Sequence, residues 1–378
     1  MMMKKMLCAL LCSAILAGQA FALPAMGELS AKSAALYDSS GQMLYEYNAD
    51  EPLQPASVTK IMTMLLALEA VDRGEVSLDD MVTGSAYAAS MGGTQIWLKE
   101  GEQLSLNDMM KAIAVGSAND CAVAVAEHLA GTEAAFVERM NARAAELGCQ
   151  NTTFVNANGL DHDGQKTLTS ARDLALISVE LLKHPKILDY TTIWMDSIRD
   201  GAFQLANTNK MLKSYQGLIG LKTGYISEAG FCISAAAQRD GMTLIATVMA
   251  APTKEQRTAD ASALLNYGFA NFTKYVPDLS GLPSALPVTL GKAETVPLTA
   301  DGADSVLIEK EKAGGLTTQV NLPETLDAPV QKGQKVGEVQ VLSGSDVLLT
   351  VPVTAAEAVD AMGVGDLFRS FLRVVLMK

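Results

Sequence analysis

The chain has 378 residues, of which 49% are hydrophobic and 19% charged, a composition typical of a globular protein. Its formal net charge of −13 argues against nucleic acid as a partner, because phosphate-binding surfaces need clustered Lys and Arg. Beyond the N-terminus the sequence has no apolar run of about 18 residues, so it predicts no membrane-spanning helix.

The first 22 residues have the layout of a secretory signal peptide. Lys4 and Lys5 precede an apolar run over residues 6–16, and a small-residue A-x-A site ends at Ala22. Cleavage after Ala22 is expected, with Ala25 as the alternative site, and a retained N-terminal anchor is the competing interpretation. The mature protein is therefore expected to be exported.

Residues 23–272 predict strands, a helical middle and strands again, which is the order of an α/β (α+β) domain whose sheet is built from both ends of the segment. The predicted elements are a hairpin over 33–47, helices over 57–70, 106–115, 120–129, 132–147 and 170–182, strands over 231–237 and 243–249, and a helix over 254–269.

Residues 273–356 change in character, because prolines punctuate short Val- and Leu-rich runs with Gly turns. This pattern predicts a small all-β domain that contains no motif carrying chemistry. Residues 357–378 return to helical spacing, with arginines off the apolar face. We expect this basic amphipathic helix to lie on a membrane surface, and a helix docked on the β domain is the alternative. The apolar face consists of Val364, Leu367, Phe368, Phe371, Leu372 and Val375.

The cysteines and histidines predict neither a disulfide framework nor a metal site. Cys8 and Cys12 lie in the signal peptide, and Cys121, Cys149 and Cys232 are odd in number among apolar or small neighbours. We therefore expect buried free thiols. The three histidines have no metal-ligand spacing, so no metal and no cofactor is predicted.

The first motif that carries chemistry is Ser57-Val58-Thr59-Lys60, at the start of a long apolar helix. Residues i and i+3 share a helix face, so the lysine amine can reach the serine hydroxyl. Lys60 can take the proton of Ser57 only if burial or cationic neighbours lower the pKa of its amine. Taken alone, the motif is better explained by Ser57 as a helix N-cap.

The second motif, Ser117-Ala118-Asn119, lies in a predicted break between two helices. There the hydroxyl can relay a proton to a leaving amine, and the amide can hold a substrate carbonyl. A similar triplet, Ser105-Leu106-Asn107, is better explained by Ser105 as an N-cap with Asp108 as its capping-box partner.

The third motif, Lys222-Thr223-Gly224, occurs once and precedes an apolar strand, which places it at a sheet edge or in a hairpin. A cation beside a hydroxyl suits a carboxylate, and the glycine lets a ligand approach the backbone. Any one triplet is weak evidence, but the three in this order are strong.

Together the three motifs resemble those of the penicillin-binding proteins and serine β-lactamases. The stretches 54–60, 207–212 and 220–230, and the order of signal peptide, peptidase domain, β domain and amphipathic tail, resemble the low-molecular-mass D-alanyl-D-alanine carboxypeptidases. The resemblance covers most of the mature chain. It implies a β-lactamase-like fold, removal of the terminal D-alanine from peptidoglycan pentapeptides, and covalent inhibition by β-lactam antibiotics.

The resemblance also implies a role for each matching residue. Ser57 would form the acyl-enzyme with Lys60 as its base, and Arg257 would lie near the carboxylate pocket unless it forms a surface salt bridge on the last predicted helix. The remaining implied roles are proton transfer and substrate binding by Ser117 and Asn119, binding of the terminal carboxylate by Lys222, Thr223 and Gly224, and an oxyanion hole from the backbone N–H groups of Ser57 and Tyr225.

Other interpretations of the same motifs stay open. A β-lactamase of class A needs a glutamate that activates the deacylating water, and residues 147–179 contain none. A DD-endopeptidase differs from a carboxypeptidase only in the peptide that forms the acyl-enzyme. A transpeptidase differs only in the group that attacks the acyl-enzyme. A non-catalytic wall-binding homologue would keep the fold without activity.

Overall fold

The structure is a computed structural model that describes residues 26–161, 164–300 and 305–376. The predicted signal peptide lies outside the described residues. In the first domain the strands are β1 (Ser33–Asp38), β2 (Met43–Tyr47), β3 (Met81–Thr83), β4 (Gln103–Ser105), β5 (Met195–Ile198), β6 (Phe203–Ala206), β7 (Leu218–Ile226), β8 (Gly230–Arg239) and β9 (Met242–Ala251).

Helices in this domain surround the strands and form a separate helical cluster between β2 and β5. They are α1 (Lys60–Asp72), α2 (Ala86–Ala89), α3 (Leu106–Lys111), α4 (Asn119–Ala130), α5 (Glu133–Glu146), α6 (Ala171–Leu182), α7 (Leu188–Thr191), α8 (Met211–Ser214) and α9 (Lys254–Asn271).

The central sheet is antiparallel, with the strand order β2-β1-β9-β8-β7. Alternate residues of each strand point to opposite sides of the sheet, and helices pack on both sides. Leu36 of β1 packs with Leu264 and Leu265 of α9 on one face. Its neighbours Ala35 and Tyr37 belong to the core that contains α1, α4 and α6 on the other face. The predicted mixed fold, with a sheet built from both ends of the segment, is therefore confirmed.

The helical cluster centres on α4, whose residues from Asn119 to Ala126 are all buried. A helix covered on every side is found in the middle of a core. Its N-terminal end carries Asn119 into the interface between the helical cluster and the sheet. Cys121 on this helix, together with Cys149 and Cys232, is a buried free thiol, as predicted.

Two local departures from the predicted helices concern the motifs. Helix α1 begins at Lys60, because residues Ala56–Thr59 form a 3-10 turn instead of its first turn. Helix α3 is followed by a π-helical turn over Ala112–Gly116, and the chain leaves that turn at Ser117 with a left-handed φ of 62°. Such irregular turns are frequent at functional sites.

The second domain is all-β, as predicted, and is followed by a helix. A six-stranded sheet has the order β14-β16-β17-β12-β11-β15. Strand β10, which follows α9 in the chain, pairs with β13 in a separate two-stranded sheet. The division at residues 272/273 and 356/357 stays a prediction. The elements are β10 (Phe272–Tyr275), β11 (Ala285–Thr289), β12 (Thr295–Ala300), β13 (Val306–Glu309), β14 (Leu316–Asn321), β15 (Leu326–Asp327), β16 (Lys335–Ser343), β17 (Asp346–Ala355) and α10 (Val364–Leu376).

In helix α10, the side chains of Val364, Phe368 and Phe371 are 86%, 61% and 64% exposed. These side chains are therefore not docked on the β domain. Within the described residues, no helix has the length and apolar character needed to cross a membrane.

Close packing of α9 on the sheet generates a test of the fold. A Cβ at Gly268 would stand 2.5 Å from Leu244 Cδ1 and 3.0 Å from Leu36 Cδ2. We expect Gly268→Leu to lower the free energy of unfolding by about 1–3 kcal/mol, because overpacking strains a close-packed interface. Urea denaturation measures the change.

Ala259→Leu is the matched control, because Ala259 lies on the same helix but is exposed. Its effect should stay within about 0.5 kcal/mol. Equal losses in both variants would show that close approach of α9 to the sheet is not the cause.

Candidate active site

The structure brings the three sequence motifs together in one cleft between the helical cluster and strand β7. The Lys60 amine lies at its centre: Nζ is 3.0 Å from Ser57 Oγ, 2.6 Å from Asn119 Oδ1 and 2.7 Å from the carbonyl oxygen of Asn158. Lys60 is fully buried, whereas Ser57 is half-buried and lines the cleft. The interpretation of Ser57 as a helix N-cap is wrong, because no side chain caps the 3-10 turn or α1.

The turn that carries Ser57 is enclosed by backbone on two sides. A Cβ at Gly224 of β7 would stand 2.5 Å from the Pro55 carbonyl oxygen and 3.0 Å from the Ser57 amide nitrogen. A Cβ at Gly159 would stand 2.0 Å from the Ala56 carbonyl oxygen, at a φ of +84°. Only glycine allows such approaches. The position of the Ser57 hydroxyl is therefore determined by main-chain contacts.

Asn119 links this turn to the opposite wall of the cleft. Its Oδ1 accepts from Lys60, and its Nδ2 donates to the carbonyl oxygen of Gly92 at 2.8 Å. Its backbone N–H donates to the carbonyl oxygen of Thr94 at 2.7 Å. The side-chain amide is thus held at both ends, and Asn119 orients the lysine amine.

Ser117 pairs with the third motif rather than with the first. Lys222 Nζ lies 2.9 Å from Ser117 Oγ and 2.9 Å from the carbonyl oxygen of Thr223, and Lys222 is buried. The Thr223 hydroxyl donates to the hydroxyl of Thr208 at 2.9 Å. The predicted decoy behaves as expected, since Ser105 Oγ accepts from the Asp108 amide as an N-cap.

Burial and a neighbouring positive charge lower the pKa of both lysine amines. Burial, reinforced by the positive charge of Lys222, holds the pKa of Lys60 well below its usual range, with Asp120 opposing in part. Burial and the positive charge of Arg257 lower the pKa of Lys222 to about 7. A depressed lysine pKa is the condition that the first motif needed in order to act as a base.

Arg257 lies on the first turns of α9 and is only 3% exposed. Arg257 lines the cleft. Its buried Nε atom has no hydrogen-bond partner among the described residues. The alternative of a surface salt bridge is therefore wrong. A buried guanidinium with an unused donor, facing a cleft, is suited to an anionic ligand.

The cleft has a volume of about 250 Å³. Four of its lining residues were not among the predicted site residues: Thr94, Thr208, Phe231 and Lys254. Asn158 was not predicted either, because it contacts Lys60 through a backbone carbonyl, which every residue type has. The lining residues are Ser57, Thr94, Ser117, Thr208, Thr223, Gly224, Tyr225, Phe231, Lys254 and Arg257.

A larger cleft of about 520 Å³ lies on the helical cluster and shares no residue with this one. Its charges neutralise one another, since Arg143 pairs with Glu69 and Glu180 at 2.8 Å each. Across the described parts of the chain, no group of three or more His, Cys, Asp or Glu side chains is arranged to hold a metal ion. The chemistry is therefore concentrated where the three motifs meet.

Known proteins share both parts of this architecture. A family description of D-alanyl-D-alanine carboxypeptidases matches residues 19–253, and one of the C-terminal domain of penicillin-binding protein 5 matches residues 282–361. The D-alanyl-D-alanine carboxypeptidase DacF of Bacillus subtilis is 39% identical over 349 residues, which cover 91% of this chain and 88% of that protein.

Solved structures agree with the sequence relatives. Penicillin-binding protein 5 from Haemophilus influenzae superposes with a TM-score of 0.80 at 30% identity, covering 88% of this chain and 98% of that one. Penicillin-binding protein D2 from Listeria monocytogenes, in an ampicillin-bound form, has a TM-score of 0.56 at 39% identity and covers 64% of this chain and 98% of its own. This chain therefore belongs to the D-alanyl-D-alanine carboxypeptidase family, the low-molecular-mass penicillin-binding proteins.

Proposed function

We propose that this enzyme is a serine-type D-alanyl-D-alanine carboxypeptidase that removes the terminal D-alanine of peptidoglycan pentapeptides through an acyl-enzyme on Ser57. The observation that carries the proposal is the placement of the buried Lys60 amine 3.0 Å from the Ser57 hydroxyl, with two further oxygens fixed beside it. Membership of the family supports the reaction class.

Lys60 is suited to act as a base because its neutral amine has two N–H donors and one lone pair. The carbonyl oxygens of Asn119 and Asn158 accept the two N–H groups. The lone pair is then free to accept the Ser57 proton while Oγ attacks the carbonyl carbon of the penultimate D-alanine. The depressed pKa of Lys60 favours the neutral form that this step requires.

Bond cleavage needs a proton on the leaving D-alanine nitrogen and a site for its carboxylate. Ser117, 2.9 Å from Lys222, can pass a proton to that nitrogen as the C–N bond breaks. Thr223 and Arg257 line the same end of the cleft, where a carboxylate would meet the guanidinium and a hydroxyl. The backbone N–H groups of Ser57 and Tyr225 are the candidate oxyanion donors, because Gly224 brings β7 against the Ser57 turn.

Deacylation then returns the free enzyme, when water attacks the ester carbon and the proton passes back to Ser57. In the proposed reaction, β-lactams would acylate the same serine, Ser57, and the resulting ester would be hydrolysed slowly. Without a glutamate over residues 147–179, the chain lacks the residue that class A β-lactamases use to speed this step. Endopeptidase action would use the same groups on a cross-linked peptide. The described contacts favour neither the pentapeptide nor the cross-linked peptide as the substrate.

We further propose that the enzyme is exported and that α10 holds it at a membrane surface. The signal-peptide pattern of residues 1–22 supports export. The exposed apolar face of α10, with Phe368 and Phe371 both more than half exposed, supports insertion of this helix into the headgroup boundary.

The nucleophile is tested by Ser57→Ala. We expect this variant to form no covalent adduct with labelled penicillin and to release D-alanine from a D-Ala-D-Ala pentapeptide at least about a thousandfold more slowly, because the hydroxyl that is hydrogen-bonded to the Lys60 amine is removed. Gel fluorescence and a D-alanine assay measure the two effects.

Ser105→Ala is the matched control, because Ser105 belongs to the similar triplet but only caps α3. It should cost about 1 kcal/mol of stability and leave labelling unchanged. Labelling of Ser57→Ala at the wild-type level would disprove the assignment.

The pKa of Lys222 predicts the alkaline limb of the pH profile. Because a neutral Lys222 loses its attraction for the substrate carboxylate, kcat/KM should fall as the pH rises above about 7. At the acid end, kcat/KM should fall as Lys60 becomes protonated. In Lys222→Arg the cation persists, so the alkaline limb should move to higher pH even if the overall rate is lower.

Lys183→Arg serves as the control, because Lys183 is an exposed lysine outside the cleft. Its pH profile should match that of the wild type. An unchanged alkaline limb in Lys222→Arg would show that another group causes it.

The anchor is tested by removing residues 362–378. We expect the shortened enzyme to stay in the supernatant when it is centrifuged with anionic phospholipid vesicles, whereas the full chain sediments with them. Phe368→Ser with Phe371→Ser should act like the truncation, and Asp366→Ser should not. Identical sedimentation of all variants would contradict the membrane role of α10.

A further inference from the structure

Trp97 lies three residues after the cleft-lining Thr94, and its indole is exposed to solvent. It is 67% exposed, whereas its neighbours Ile96 and Leu98 are 1% and 3% exposed. Thr94, three residues earlier, lines the cleft and accepts a hydrogen bond from the Asn119 amide. The largest apolar side chain of this segment therefore points outward, three residues from a residue that lines the active-site cleft.

The backbone around Trp97 is held from inside by Asp120. This buried carboxylate accepts from the amides of Ile96 at 3.0 Å and Leu98 at 2.9 Å. Between these two anchors Trp97 adopts a left-handed φ of 55°. Because a bulky residue pays a conformational penalty there, the surrounding contacts must impose this conformation.

The turn between β5 and β6 supports the indole from the side. The ring of Phe203 meets Trp97 edge-on, with centroids 6.0 Å apart. Arg199 lies 5.4 Å over Phe203, pairs with Glu102 at 2.6 Å and donates to the carbonyl oxygen of Ile96 at 2.9 Å. The turn brings Arg199 there with a left-handed φ of 55°.

We propose that Trp97, backed by Phe203, is a stacking platform for one sugar ring: the amino sugar to which the first residue of the pentapeptide is attached. The inference rests on the proposed function, because it names a further part of the same substrate. A pyranose ring presents a face of C–H groups that packs on the negative face of an indole, and its hydroxyls stay in solvent. A single rigid aromatic face matches one such ring and is far too small for a protein interface.

The reach of the peptide agrees with the position of the platform. The three residues from Thr94 to Trp97 span at most about 11 Å, so the Cα atom of Trp97 lies within that distance of a residue that lines the cleft. Four residues separate the scissile bond from the sugar, and an extended peptide of that length spans about 13 Å. With its terminal carboxylate at Arg257, a pentapeptide acylating Ser57 can extend past Asn119 and place its sugar on Trp97.

The test compares D-alanine release from a disaccharide-linked pentapeptide and from the free pentapeptide. The wild type should prefer the linked substrate, and Trp97→Ala should reduce that preference about three- to tenfold in kcat/KM. Trp97→Phe should retain most of the preference. Tyr47→Ala, an exposed aromatic on the edge strand β2, should leave it unchanged.

Equal losses on both substrates would assign Trp97 to the peptide and overturn the proposal, as would no loss on either. Penicillin labelling of Ser57 should be unchanged in Trp97→Ala. If labelling fails even in the wild type, the proposed function is wrong, and that outcome is distinct from a lost preference for the sugar.

Fluorescence gives a readout that needs no turnover. Trp97 and Trp194 are the two tryptophans of the chain. In Trp194→Phe, titration with the peptide-free disaccharide should shift Trp97 emission to the blue and protect it from acrylamide quenching. Unchanged emission at saturating disaccharide would overturn the proposal.

Discussion

The rest of the site depends on one buried amine. Lys60 has no solvent contact, and its neighbours present oxygens at three fixed points. A lysine in such a place is destabilised as a cation, so its role follows from its burial rather than from a dedicated acid–base partner. The 3-10 turn, the buried start of α4 and the loop at Asn158 are all arranged around this amine. Displacing the turn, the start of α4 or the loop would expose the Lys60 amine to water.

The sheet and the helical cluster each position part of the active site. Strand β7 presents Lys222 and Thr223 at the edge of the sheet, and the cluster presents Ser117 and Asn119 from the start of α4. The two sets meet because Gly224 lets β7 lie against the turn of Ser57. The positive charge of Lys222 helps burial to lower the pKa of Lys60, in the direction that a base requires. The pKa of Lys222 is lowered by burial and by Arg257, which limits the pH range in which Lys222 is a cation.

Much of this could be predicted from the sequence, because its signals are local. Alternating and helical periods indicated the sheet, α4 to α6 and the β domain, and the three motifs indicated the side chains that meet. The 3-10 turn before Lys60 and the π-helical turn before Ser117 could not be predicted, since tertiary contacts impose them against helical propensity. The contact of the Asn158 carbonyl with Lys60 and the exposure of Trp97 could not be predicted either, because backbone oxygens and single outward-pointing side chains give no periodic pattern in the sequence.

The burial of the three free cysteines has a consequence for their oxidation. Burial raises the pKa of Cys149 to about 12 and that of Cys232 to about 11, and it raises that of Cys121 as well. Because the thiolate is the form that oxidants attack, burial protects these three thiols while the chain is folded. Oxidation of the thiols then requires the chain to open first. The rate of that oxidation is therefore set by how often the chain opens locally or unfolds.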